Sequence, residues 1–178
     1  METGNRDWST TVVKNGKVLI ALSTPLSSNA EFKEHMDKHG DGIKDIAFTV
    51  EDAVKVYNAA VLKGAKSVSE PTKIEDKNGY VIVASVKTYG DTIHTFIQRD
   101  QFKGDFLPNY ALIKNEDPFN DIAGKFTLGF IDHVVGNHAL GDMETTVQWY
   151  ENVLSFHRFW SIDDSLINTE YRYKNINF

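Results

Sequence analysis

Gly129-Phe130-Ile131-Asp132-His133-Val134-Val135-Gly136-Asn137 is short, apolar and β-prone, with a histidine at its centre. Side chains of an extended strand alternate between two faces. Ile131, His133 and Val135 then share one face, and Phe130, Asp132 and Val134 share the other. His133 is therefore expected to point, with two apolar residues, towards an interior. A neutral imidazole so placed can ligate a metal. It can equally be a core histidine satisfied by hydrogen bonds. Spacing alone favours the second reading, because one histidine does not make a metal site.

Working outward, the pattern predicts a strand over 128–136 and a helix over about 143–154. Val147, Tyr150, Val153 and Leu154 fall on the inner face of that helix, and a further strand covers 156–162. An upstream stretch has the same order. A strand over 43–50 runs into Glu51-Asp52, which can cap a helix over 53–63. Val54, Tyr57, Val61 and Leu62 recur there at helical spacing, and Gly64 suits the C′ position. Strands over 66–74, 80–86 and 92–98 follow, with a turn at Asp76-Lys77-Asn78-Gly79. Residues 43–98 thus read as one β-α-β-β-β module. Aligning Gly42-Ile43-Lys44-Asp45-Ile46-Ala47 with Phe130-Ile131-Asp132-His133-Val134-Val135 gives a weak internal repeat. Asp45 then falls where His133 falls, and is expected to be structural or to make strand-end hydrogen bonds.

Nearer the amino terminus, strands over 8–13 and 17–23 flank Asn15-Gly16, a type I′ hairpin signal. A loop around Pro25 leads to a short helix over 30–38, ended by Gly40 and Gly42. Residues 100–125 read as a linker whose aromatic residues pin it to a surface.

The chain has 178 residues, 41% of them hydrophobic, a net charge of −6 and a pI near 5.5. That suits one ordinary soluble domain with part of a second. No basic stripe suggests nucleic acid or an anionic membrane as partner. No cysteine is present, which excludes disulfides, thiolate catalysis and zinc–thiolate sites. Neither a signal-like region nor a membrane-length apolar run occurs, so a cytoplasmic location is expected.

Ile131-Asp132-His133-Val134-Val135-Gly136-Asn137, then Trp149-Tyr150, then Phe156-His157-Arg158-Phe159-Trp160-Ser161-Ile162-Asp163-Asp164 closely resemble the 4-hydroxyphenylpyruvate dioxygenase family. Lys38-His39-Gly40-Asp41-Gly42-Ile43-Lys44-Asp45-Ile46-Ala47-Phe48 and Thr88-Tyr89-Gly90-Asp91-Thr92 resemble it too. The resemblance covers residues 1–171. It implies an α+β fold of paired βαβββ modules, the vicinal-oxygen-chelate or glyoxalase-like architecture, here incomplete. The expected division is 1–99 for an amino-terminal domain lacking its opening strand and helix, and 100–125 for a linker. Residues 126–171 then begin a catalytic domain. Residues 172–178 form a tail that does not match the family, as a mis-spliced, frameshifted or truncated copy would produce.

The resemblance also implies chemistry. Family members use Fe(II) and O2 to convert 4-hydroxyphenylpyruvate into homogentisate and CO2 in tyrosine and phenylalanine catabolism. They are commonly homodimers. His133 would be the first of three iron ligands and Val135 part of the substrate-pocket wall. The second histidine and the glutamate of the facial triad would lie beyond residue 178, so this chain is expected to be inactive alone. Two alternatives stand beside it, a relative of 4-hydroxymandelate synthase and a non-catalytic fragment or binding module of the same fold. Of the other histidines, His94 is expected to make a structural hydrogen bond. His35 and His39, four apart on a helix, are expected to face solvent. His138 is placed in a loop.

Overall fold

Alternating β-branched and small residues after Gly79 build the sheet on which the rest of the molecule is arranged. The computed structural model describes residues 2–4, 7–27, 30–113, 118–119, 122 and 126–160. In chain order the elements are β1 (Glu2–Gly4), β2 (Trp8–Asn15), β3 (Val18–Pro25), α1 (Ala30–His39), β4 (Asp45–Thr49), α2 (Ala53–Leu62), β5 (Ser67–Asp76), β6 (Gly79–Lys87), β7 (Ile93–Gln98) and α3 (Met143–Leu154). The tail 172–178, the turn at Asp163-Asp164 and residues 161–162 lie outside the described residues, and the described part of the strand expected over 156–162 forms no strand.

The four-stranded sheet has the order β4-β7-β6-β5. β4 runs parallel to β7, and the other pairs are antiparallel. This is the β-α-β-β-β module expected over 43–98. Period-two alternation divides its side chains. Phe48, Phe96, Ala84 and Val86 share one face, and α2 and α3 cover that face. Ser85 and Thr95 are opposite one another on the other face. Phe96 is 2% exposed at the centre of the core, with Ala84 and Val86 fully buried beside it.

α2 begins where Asp52 accepts a hydrogen bond from the Lys55 amide at 2.8 Å, satisfying one of the helix's orphan donors. It ends where the Gly64 amide donates to Val61 and the Ala65 amide to Ala60. That is a Schellman closure, with Gly64 at the expected C′ position. Of the four residues at helical spacing, Tyr57 is buried and Val54, Val61 and Leu62 are exposed. Ala53, Tyr57 and Ala60 are buried, whereas Leu62 is 90% exposed. Two alanines bring the helix backbone close to the sheet, and Tyr57 reaches the edge strand, where its hydroxyl meets the Ser67 hydroxyl at 2.6 Å.

The other sheet, β1-β2-β3, is an antiparallel meander. Its hairpin turns at Gly16-Lys17 rather than Asn15-Gly16, because Asn15 pairs with Val18. Of the two turn residues, Gly16 alone has positive φ (58°), the sign pattern of a type II′ turn with glycine first. Asn15 is released to bind the 126–128 segment. Its amide group donates to Phe126 O at 3.3 Å and accepts from the Leu128 amide at 2.8 Å. A Cβ on Gly16 would sit 2.2 Å from Leu128 O. Gly16→Ala is therefore expected to lose about 1–2 kcal/mol from backbone conformation alone. It should also detach the 126–128 segment. Urea unfolding measures the first effect, and hydrogen exchange at Leu128 the second.

The segment after β7 folds back. Phe102 is buried and bridges to Gly79, and the Asn109 amide donates to Asp76 at 3.0 Å. No strand forms over 126–139, although 128–136 is expected to be one. A strand is stable when its amides and carbonyls are paired along a ladder, and among the described residues the pairing of this stretch with a strand stops at the contacts of Phe126 and Leu128 with the end of the β2–β3 hairpin. No helix among the described residues is long and apolar enough to cross a membrane.

Candidate functional site

The residues singled out in sequence fall into separate places. His133 lies on the irregular 126–139 segment with its side chain 74% exposed. Its Nδ1 is 2.7 Å from Asp132 Oδ2. Ile131 and Val135 are each 54% exposed and Phe130 73%. The expected inward direction of His133 is not what the structure shows, because the segment has no sheet to set an inside and an outside. The Asp132 contact leaves His133 Nε2 as the nitrogen able to face a metal. A carboxylate on the other ring nitrogen is the usual arrangement behind a ligating histidine. No group of three or more His, Asp or Glu side chains that could hold a metal ion occurs among the described residues.

Immediately downstream the segment is anchored. A Cβ on Gly136 would meet the Tyr89 hydroxyl at 2.0 Å, so a larger residue there would have to push the Tyr89 side chain aside. The His138 and Tyr89 rings are 4.4 Å apart. Tyr89 in turn lies 6.3 Å, edge-on, from Tyr150 of α3. Tyr89 belongs to the Thr88-Tyr89-Gly90-Asp91-Thr92 stretch between β6 and β7, so a loop of the first module holds the chain that carries His133.

Beneath α3 sits His94, 2% exposed. Its Nδ1 is 3.0 Å from the Ile46 carbonyl, and its Nε2 is 3.0 Å from the Tyr150 hydroxyl. A carbonyl only accepts, so Nδ1 carries the proton, and a neutral ring then accepts from Tyr150 through Nε2. The Phe48 ring packs at 4.9 Å on His94, and Phe156 packs against both Phe48 and Tyr150. Burial lowers the His94 pKa, opposed by the bond to Ile46. Burial, then the neighbouring Tyr89, pushes Tyr150 up to about 12. His94 has the structural role expected of it. Its partner was not apparent, and the one signal was a hydroxyl on an otherwise apolar helix face.

Asp45 is a hydrogen-bonding residue at the start of β4. It accepts from the Thr95 hydroxyl at 2.6 Å, and Thr95 is 2.8 Å from Ser85. Loss of hydration raises its pKa, opposed by the Thr95 bond. Arg158 pairs with Glu144 at 3.0 Å and lies 3.8 Å from Glu151, tying the segment after α3 back to that helix. His35 does not face solvent as expected. Both of its ring nitrogens are shut off from water.

No family model matches the chain. Curated relatives do. A 4-hydroxyphenylpyruvate dioxygenase of Dictyostelium discoideum is 49% identical over 173 residues, covering 96% of this chain and 47% of the relative. One of Tetrahymena thermophila is 44% identical over 176 residues, covering 96% and 44%. One of Aspergillus fumigatus is 42% identical over 186 residues, covering 96% and 46%. Among solved structures, a substituted 4-hydroxymandelate synthase from Streptomyces coelicolor superposes with a TM-score of 0.73 at 25% identity, covering 90% of this chain and 44% of that one. The architecture is therefore the vicinal-oxygen-chelate fold. The chain spans about half the length of the curated relatives it matches. Sequence identity, order of motifs and fold agree in one likeness: over nearly all of its length the chain is similar to slightly less than half of each of these 4-hydroxyphenylpyruvate dioxygenases.

Proposed function

We propose that this chain is part of an Fe(II)-dependent dioxygenase that converts 4-hydroxyphenylpyruvate and O2 into homogentisate and CO2. The observation that carries the reading is identity of 40–49% to curated dioxygenases over 96% of the chain. His133 is the proposed first iron ligand, and Val135 the proposed pocket-wall residue. Residues 1–99, 100–125 and 126–171 are the proposed amino-terminal domain, linker and start of the catalytic domain. Fe(II), held by three protein donors, would supply open coordination positions for the 2-oxo acid group of the substrate and for O2. This chain's own contribution is to orient the His133 imidazole through Asp132 and to anchor the adjoining backbone at Gly136 against Tyr89. The whole protein is proposed to act as a cytoplasmic homodimer. The alternative product, 4-hydroxymandelate, has its support in the similarity to the synthase structure at 25% identity. The higher identity to dioxygenases favours homogentisate.

With one donor of three, the chain alone is expected to show no oxygen uptake with Fe(II) and 4-hydroxyphenylpyruvate. Uptake coupled to homogentisate would sink the claim that one imidazole is insufficient. The family reading is tested separately by a chimera in which this chain replaces the matching part of the Dictyostelium relative. Homogentisate is the expected product, falling to background in His133→Ala. A folded chimera that makes 4-hydroxymandelate, or keeps its rate without His133, would overturn the reading.

A further inference from the structure

The outer strands of a sheet present backbone amides and carbonyls with no ladder partner, and folded proteins guard them with charge, proline, bulges or short length. Of the four outer strands here, three are guarded in this way. β1 has three residues. β4 has five and opens on Asp45. β5 carries Glu70, Pro71, Lys73 and Glu75, and its register shifts twice. β3 is the exception. Its eight residues, Val18-Leu19-Ile20-Ala21-Leu22-Ser23-Thr24-Pro25, include no charge, and proline comes only at the end. No strand among the described residues pairs along its outer side. One face of the β2–β3 ribbon is also apolar and open. Val13, Ile20 and Leu22 lie together on it and are 49%, 49% and 56% exposed.

We propose that β3 is a self-association edge, which pairs antiparallel with β3 of a second copy of this chain across a two-fold axis at Ala21. The register follows from the hairpin. Asn15 and Val18 close a two-residue turn, so Val18 and every second residue after it, Ile20, Leu22 and Thr24, bond inward to β2. Leu19, Ala21 and Ser23 then turn their amides and carbonyls outward. The outward ladder is bounded at both ends. The Lys17 amide is taken by the Leu128 carbonyl at 3.2 Å, and Pro25 has no N–H. A two-fold axis at Ala21 uses what lies between. Ala21 meets its own copy, and Leu19 meets Ser23 in both directions. The same register sets Ile20 opposite Leu22 of the second copy, at the non-hydrogen-bonded positions where side chains approach most closely. Both copies therefore cover the same apolar face, as a self-complementary contact requires. Charge agrees with this register. Lys17 falls opposite Pro25 of the second copy, the end of β3 where the Asp7 carbonyl accepts from the Leu26 amide at 2.7 Å. A lysine thus approaches an aspartate, and the two-fold axis repeats that pair at the other end. The contact is small, so the dimer is weak and depends on concentration. It does not rest on the dioxygenase reading.

The test is sedimentation of the tag-free, full-length chain over roughly 1–200 μM, where monomer and dimer in exchange are expected. Ala21→Pro removes an outward N–H at a position that does not bond to β2. It should weaken the dimer at least tenfold and leave the far-UV spectrum of the monomer unchanged. Leu22→Lys, at an exposed site, should weaken it as much without altering the backbone. The chain has no cysteine, so Ala21→Cys reports the register. Hydrogen-bonded antiparallel neighbours have Cα atoms about 5.5 Å apart, within reach of a disulfide. Mild oxidation should join Ala21→Cys chains at least tenfold faster than Glu75→Cys chains, which carry the thiol on the guarded β5. A monomer throughout the range, unchanged affinity in Leu22→Lys or in a folded Ala21→Pro, or cross-linking no faster than at Glu75 would each overturn the proposal. None of these outcomes depends on dioxygenase activity.

Discussion

His94→Ala is expected to remove about 3–5 kcal/mol of unfolding free energy, enough to unfold a domain of ordinary stability at moderate temperature. The substitution does two kinds of damage. It empties a buried ring site against Phe48 and α3. It also removes two hydrogen bonds, from Nδ1 to the Ile46 carbonyl and from the Tyr150 hydroxyl to Nε2, each 3.0 Å long. Each such bond contributes about 0.5–1.5 kcal/mol. Tyr150→Phe removes one partner and keeps the ring, so its expected loss is smaller, about 1–2 kcal/mol. A double-mutant cycle by urea unfolding should give a coupling of about 1 kcal/mol between the two. Additive losses would show that the hydrogen bond does not join α3 to the sheet.

The same histidine sets an acid limit on stability. Its folded-state pKa is lowered by burial, whereas the unfolded chain titrates near 6.5. Below that pH the unfolded chain takes up a proton that the folded one refuses. Stability is therefore complete above about 6.5 and is lost as pH falls towards the folded-state value. The slope from one proton is at most about 1.4 kcal/mol per pH unit. His35 acts with the same sign. His94→Asn should flatten this part of the profile. An unchanged slope would mean that His94 titrates normally in the folded chain.

Phe96→Ala is expected to have a comparable effect, about 3–5 kcal/mol. Phe96 is 2% exposed among Ala53, Tyr57, Ala60, Ala84, Val86 and Val153, so one ring supports the sheet and both helices. Its neighbours are mostly small, and alanine and valine cannot extend into the space left behind. Phe159, at 98% exposed, is the control. Phe159→Ser is expected to change stability by less than about 0.5 kcal/mol. Thermal unfolding of the two variants side by side would check the contrast. Equal losses would mean that the hydrophobic core lies elsewhere.

Local signals in the sequence determined a good deal. Asp52 and Gly64 marked the ends of α2 because caps depend on a few adjacent backbone groups. Period-two runs after Gly79 and Thr92 gave β6 and β7. Order and spacing of these elements gave the β-α-β-β-β module, and the residues around His133 gave the resemblance to the dioxygenases. Tertiary contacts decided the rest. Helical spacing alone picked out Val54, Tyr57, Val61 and Leu62 on α2, but close approach to a sheet kept Tyr57 and buried Ala53 and Ala60 beside it. His94 and Tyr150 are 56 positions apart in the chain and meet because α3 docks on the first module's sheet. His39 and Asp91 are 52 positions apart and are brought to 2.9 Å by α1 and the turn before β7, and periodicity cannot register that. The β-prone stretch around His133 shows the limit most clearly. Its residues favour a strand, but a strand is completed by neighbours, and local preference cannot supply the missing hydrogen bonds.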